Sequence, residues 1–161
     1  MLRYQQLLTG GWELCYSGSY RNDFPSSTID QIRNSQCTKA KLMLGCKRSS
    51  NTIQTLAWAS RGCIFTNTGS SRHGVTSCEG TDWYFSYNWS WGFVKQGDSV
   101  YRSSCDTDKS GCDACRMCWH TPGSGWRCGT DMSVHSDTFE KVIFQTGKNE
   151  IFLSSLLHNI T

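Results

Sequence analysis

Residues 105–128 read CDTDKSGCDACRMCWHTPGSGWRC, and the use made of the sulfurs in this stretch decides the class of fold. It holds five of the chain's ten cysteines, an Asp-x-Asp-x-Ser-Gly run, His120, Trp119 and Trp126. Three readings compete for it: a disulfide-stapled binding loop, a calcium loop and a soft-metal site. As a soft-metal site, Cys112-x2-Cys115-x2-Cys118 brings three sulfurs close, with His120 or Cys128 as the fourth ligand. Two-pair zinc sites separate their pairs by about a dozen residues or more, and ferredoxin runs place a fourth cysteine three residues on, followed by proline. Neither spacing is present, so disulfides are the simpler use.

The rest of the chain supports that use. Cys15, Cys37, Cys46, Cys63, Cys78, Cys105, Cys112, Cys115, Cys118 and Cys128 make an even set in 161 residues, the density of an oxidising compartment. We assign all ten to bridges. One pairing is expected locally, Cys118 with Cys128, because the intervening glycines let the segment fold back. Asn88-Trp89-Ser90 is an N-glycosylation acceptor that fits the same setting. The protein is therefore read as secreted or cell-surface. The opening MLRYQQLLTG has neither the apolar core nor the cleavage site of a signal peptide, which places any export signal outside this chain. No apolar run is long enough to span a bilayer. A net charge of +3, scattered along the chain, gives no basis for nucleic-acid binding.

Working outward, Trp12, Leu14 and Tyr16 alternate with Glu13 and Cys15 as in a half-buried strand. Ser26–Asp30 begins a short helix with Ile29, Ile32 and Cys37 facing the core. Residues 40–46 (AKLMLGC) suit a central strand, 51–60 fit a strand or a short helix, and 63–66 read as a strand. Residues 82–94 (DWYFSYNWSWGFV) contain seven aromatics, with Trp83, Phe85 and Tyr87 on one face and a bend at Ser90 and Gly92 making a hairpin. Their rings serve either the core or a stacking platform for a sugar or peptide. Residues 139–145 form a late strand with Phe139, Lys141, Ile143 and Gln145 on one side. The predicted fold is α+β or mostly β: a single disulfide-stabilised domain over 1–146, with short antiparallel strands and one or two short helices, then a tail over 147–161.

For function, Asp106 and Asp108 supply hard oxygens on alternate positions before Gly111, which makes them candidate calcium ligands. The helix–loop–helix frame and the closing bidentate Glu of an EF-hand are missing, with Met117 at the latter position. Asp113 offers a further carboxylate. His73, His120, His135 and His158 form no recognisable nucleophile–base set, so the chain reads as non-catalytic. Trp89, Trp91, His120 and Trp126 are the candidate ligand-binding residues.

Two stretches together resemble fibrinogen-related lectin domains: Gly10-Gly11-Trp12-Glu13-Leu14-Cys15, and Asp106-x-Asp108 followed by Cys112 and Cys118-Trp119-His120. Residues 140–144 also resemble that family's closing strand. The resemblance covers about a quarter of the chain and implies a calcium loop, with Ca2+ as cofactor, beside a surface for acetylated sugars or protein ends. The expected function is an extracellular lectin-like or adhesive module with a glycan or protein ligand. The alternatives are a structural module of a larger extracellular protein and a metal protein built on Cys112, Cys115 and Cys118.

Overall fold

In the computed structural model, which describes residues 3–48, 51–107, 111–132 and 134–148, two antiparallel sheets face one another. The strands are β1 (Glu13–Ser19), β2 (Lys41–Arg48), β3 (Ile53–Ser60), β4 (Thr76–Cys78), β5 (Thr81–Phe85), β6 (Ser90–Lys95), β7 (Met117–His120), β8 (Trp126–Cys128) and β9 (Phe139–Thr146). The first sheet runs β1-β9-β2-β3, so the late strand sits between two early ones; the second is a meander, β4-β5-β6-β7-β8. Short helices α1 (Tyr4–Thr9), α2 (Ser26–Gln31, extended by a π turn over Ile32–Gln36) and α3 (Arg61–Ile64) complete the domain. Among the described residues no helix is long and apolar enough to cross a membrane.

Strand pleating explains why these sequences fit. Leu42, Leu44 and Cys46 of β2 and Ile143 of β9 point at the second sheet, where Trp83, Phe85, Trp91, Phe93, Met117 and Trp119 meet them. Met43, Val142 and Phe144 point the other way and are covered by Leu7 of α1 and by Trp12. In β1 the simple alternation fails. A bulge between Leu14 and Tyr16 shifts the register, so Trp12 and Leu14 pack on the outer face while Cys15 and Tyr16 join the inner core. The 51–60 ambiguity resolves as strand β3. Residues 63–66, expected as a strand, instead belong to and follow α3, because the Ser60 hydroxyl accepts from the Cys63 amide and caps a helical turn.

The second sheet is buried on both faces. Its outer side, with Tyr84, Val94 and Cys118, lies under the connection that carries Val100 and Cys105. Gly92 permits this packing, since a Cβ there would collide with the Met117 carbonyl oxygen and the Tyr84 phenol. All ten cysteines are paired, Cys15–Cys37, Cys46–Cys128, Cys63–Cys78, Cys105–Cys118 and Cys112–Cys115. The expected Cys118–Cys128 bridge is thus corrected. Cys118 lies opposite Arg127 and Cys128 opposite Met117, so alternation sends one sulfur to the outer face and the other to the core. Cys128 crosses to Cys46 and ties the two sheets together.

Candidate functional site

The β5–β6 hairpin turns over Ser86–Trp89, before the bend expected at Ser90 and Gly92, which both lie inside β6. Its turn is held from two sides. On one side the Thr121 hydroxyl donates to the Ser86 carbonyl (2.6 Å) and accepts from the Trp89 amide (3.1 Å), and the Thr121 amide donates to the Trp89 carbonyl (3.2 Å). On the other, the Thr68 amide donates to the Phe85 carbonyl (3.0 Å), and the Phe85 amide donates to the Thr68 hydroxyl (3.1 Å). This second set brings the loop 67–70 alongside the hairpin end. An Asx turn, the Gly69 amide on the Asn67 side chain at 2.8 Å, shapes that loop.

Between loop and turn lies a cleft of about 430 Å³ lined by Asn67, Gly69, Ser70, Ser86, Tyr87, Asn88 and Trp89. Its lining mixes two aromatic rings with amides and hydroxyls, and none of these side chains carries a formal charge. Tyr87 is oriented through its hydroxyl, which donates to Asp30 of α2 (2.8 Å) and accepts from Arg33 (3.3 Å). Behind Trp89 sits the buried guanidinium of Arg102, 5.4 Å from the ring centroid. Arg102 also donates to the carbonyls of Thr68 and Ser71, both at 3.1 Å, and so holds the far wall of the cleft. Burial lowers the pKa of Arg102, yet a guanidinium stays charged throughout the ordinary pH range.

Of the residues expected to bind ligand, Trp89 lines this cleft. Trp91 does not reach it and is corrected to a core residue: it is fully buried, stacked on Phe24 and edge-on to Trp119. Its position one residue into β6 turns the ring inward, where Trp89 in the turn is only half-buried. His120 and Trp126 form a second group, their rings 5.0 Å apart, with His135 a further 5.0 Å from Trp126 and hydrogen-bonded to Ser124 at 3.0 Å. Burial first, then His135 and Lys141, hold the His120 pKa below its usual value, which favours the neutral ring. Asn88, the glycosylation acceptor, is exposed at the turn.

Asp106, expected in a binding loop, is instead part of a buried ion cluster. Its carboxylate is fully buried, 3.2 Å from Arg116 and 3.8 Å from Arg127, both also buried. Arg116 and Arg127 neutralise the Asp106 carboxylate, and Asp113 is held by Arg127 at 3.0 Å. This ion cluster anchors the connection that covers the second sheet. Asp108 lies outside the described residues. Among the described residues no three His, Cys, Asp or Glu side chains are grouped to hold a metal, and the sulfurs of Cys112, Cys115 and Cys118 are all in bridges.

Sequence reasoning did not single out Asn67, Ser70 or Ser86, and it held Tyr87 only as one ring of the 82–94 block. The apposition of the loop 67–70 to the hairpin end is a long-range event with no local signature. No known family, curated protein or solved structure matches the chain.

Proposed function

We propose that this chain is a secreted or cell-surface carbohydrate-binding module, lectin-like and non-catalytic, that holds a neutral saccharide in the Tyr87–Trp89 cleft. One observation carries the reading: two partly accessible aromatic rings converge with Asn and Ser side chains in an uncharged cleft. Sugars present apolar C–H faces and many hydroxyls. Rings receive the former, while amides and hydroxyls exchange hydrogen bonds with the latter at no cost in desolvated charge. A phosphate or an acidic peptide finds no cation in that lining. The five bridges fit the oxidising setting in which such modules work.

The test is a glycan array probed with the oxidised, unglycosylated chain, with calcium and with chelator, followed by tryptophan-fluorescence titration of the best neutral saccharide. Binding is expected in both conditions. Trp89→Ala should weaken it at least tenfold, which corresponds to the roughly 1–3 kcal/mol of an aromatic anchor, and Trp126→Ala should not. An array with no binder in either condition, or an unchanged Trp89→Ala, defeats the reading.

A further inference from the structure

We propose that the cleft is governed by the chain's own N-glycosylation: a glycan on Asn88 seats its first N-acetylglucosamine units against Tyr87 and Trp89 and closes the cleft to external saccharide. This rests on the carbohydrate reading of the same cleft. Asn88-Trp89-Ser90 is an Asn-x-Ser acceptor whose middle residue is not proline. The fold exposes Asn88 at the hairpin turn, and Asn88 lines the same cleft as Tyr87 and Trp89. A sugar linked there starts at the cleft mouth, before any free ligand arrives. The short tether gives it an effective concentration of roughly millimolar order or above, enough to compete with a weakly held free saccharide.

Ser90 separates the acceptor triplet from the cleft lining. It is fully buried in β6, and its hydroxyl has no hydrogen-bond partner. A buried hydroxyl without a protein partner contributes little to stability, so its removal should leave the fold intact. The acceptor triplet needs that oxygen, and it is read on the extended chain before β6 forms. In the transfer, the Asn88 amide nitrogen displaces a polyprenyl diphosphate from the anomeric carbon of a lipid-linked oligosaccharide. The new N–C bond replaces the C–O bond, and the amide gives up one proton. The donor and its transferase belong to the secretory compartment.

The same property supplies the test. Ser90→Ala destroys the acceptor yet leaves Asn88 and every other cleft residue in place, while Ser90→Thr keeps it. Wild type and both variants are secreted from a glycosylating cell, and intact mass reports occupancy of Asn88. Each is titrated with N,N′-diacetylchitobiose by tryptophan fluorescence and applied to a neutral-glycan array, with urea midpoints confirming folding. Wild type and Ser90→Thr should carry the glycan and bind chitobiose at least tenfold more weakly than Ser90→Ala. An unmodified Asn88 in wild type overturns the proposal. So does equal chitobiose affinity in all three proteins. If Ser90→Ala ignores chitobiose but binds other neutral glycans, the cis occupant is wrong and the carbohydrate reading survives. If Ser90→Ala binds nothing on the array, that reading falls and the gate falls with it.

Discussion

Lys141 offers the sharpest test of the packing. It lies in β9, between β1 and β2, and is fully buried. Its ammonium donates to the Asn22 carbonyl (3.3 Å) and sits 4.6 Å from the Phe24 ring centroid and 5.7 Å from that of Tyr20. Burial lowers its pKa from 10.5 to about 8, with Asp23 opposing the shift. The folded protein thus binds this proton less tightly than the unfolded chain does. Between pH 8 and 10.5 the unfolded state holds more protons, so this group makes stability rise with pH through that window. Below pH 8 the full cost of keeping the charge applies, about 3 kcal/mol for a shift of this size. Lys141→Met keeps the stem and drops the charge. After loss of the Asn22 bond and the ring contacts, it should be more stable than wild type by about 1–2 kcal/mol at pH 7. The gap should narrow as pH rises to 9.5. Urea unfolding of the oxidised proteins from pH 6.5 to 9.5 reads both effects; Tyr16 and Tyr20, whose folded pKa values burial raises, begin to ionise in the unfolded chain at the top of that range in both proteins alike, so they drop out of the gap. A second readout is His120, whose pKa Lys141 helps depress and which should titrate higher in the variant. Parallel wild-type and Lys141→Met curves across pH 7–9.5, or a variant less stable at pH 7, would refute the reasoning.

Further perturbations separate anchoring from incidental contacts. Replacing Cys46 and Cys128 by Ala frees a loop with a sequence separation of 82, and chain entropy predicts a loss of about 4–5 kcal/mol. The same change at Cys112 and Cys115, separation 3, predicts about 1–2 kcal/mol, and a reversed ranking in urea unfolding counts against the sheet-to-sheet role. Asp106→Asn leaves Arg116 and Arg127 buried beside a neutral amide and should cost about 3–5 kcal/mol. Millimolar calcium should leave the wild-type Tm unchanged, and a clear rise would restore Asp106 as a metal ligand.

How much of this was legible depends on the range over which each feature is decided. Strands β5 and β9 follow from local alternation, β2 from its short apolar run and α2 from its start at Ser26, because pleat and helix period act within a few residues, whereas the start of β6 is set by the turn over Ser86–Trp89 that Thr68 and Thr121 hold from a distance. The helical turn at Cys63 depends on one cap from Ser60, a weak local signal beside the apolar Cys63-Ile64-Phe65 run. Asp106 misleads for a different reason. The Asp-x-Asp-x-Ser-Gly pattern describes the loop by itself, whereas its role is set by Arg116 and Arg127, which only the folded β7–β8 pair brings beneath it. Likewise Trp89 and Trp91 are two residues apart and chemically identical, yet the end of the turn separates a cleft wall from a core ring. The predicted tail over 147–161 lies outside the described residues beyond Lys148.

The double burial of the second sheet also accounts for where the cleft sits. A sheet covered on both faces offers a ligand only its ends and edges, and the β5–β6 turn is the end held by side-chain hydrogen bonds from two neighbours. Arg102 belongs to the outer cover, yet it donates to the loop carbonyls and backs the Trp89 ring. The packing that hides the sheet is therefore the packing that fixes the cleft walls. A wall already fixed loses little conformational freedom when a ligand arrives, which favours binding by a small contact area. On the proposed carbohydrate reading, that is the condition under which one tryptophan and a few amides would suffice to hold a sugar, and under which a tethered sugar would hold the cleft against a free one.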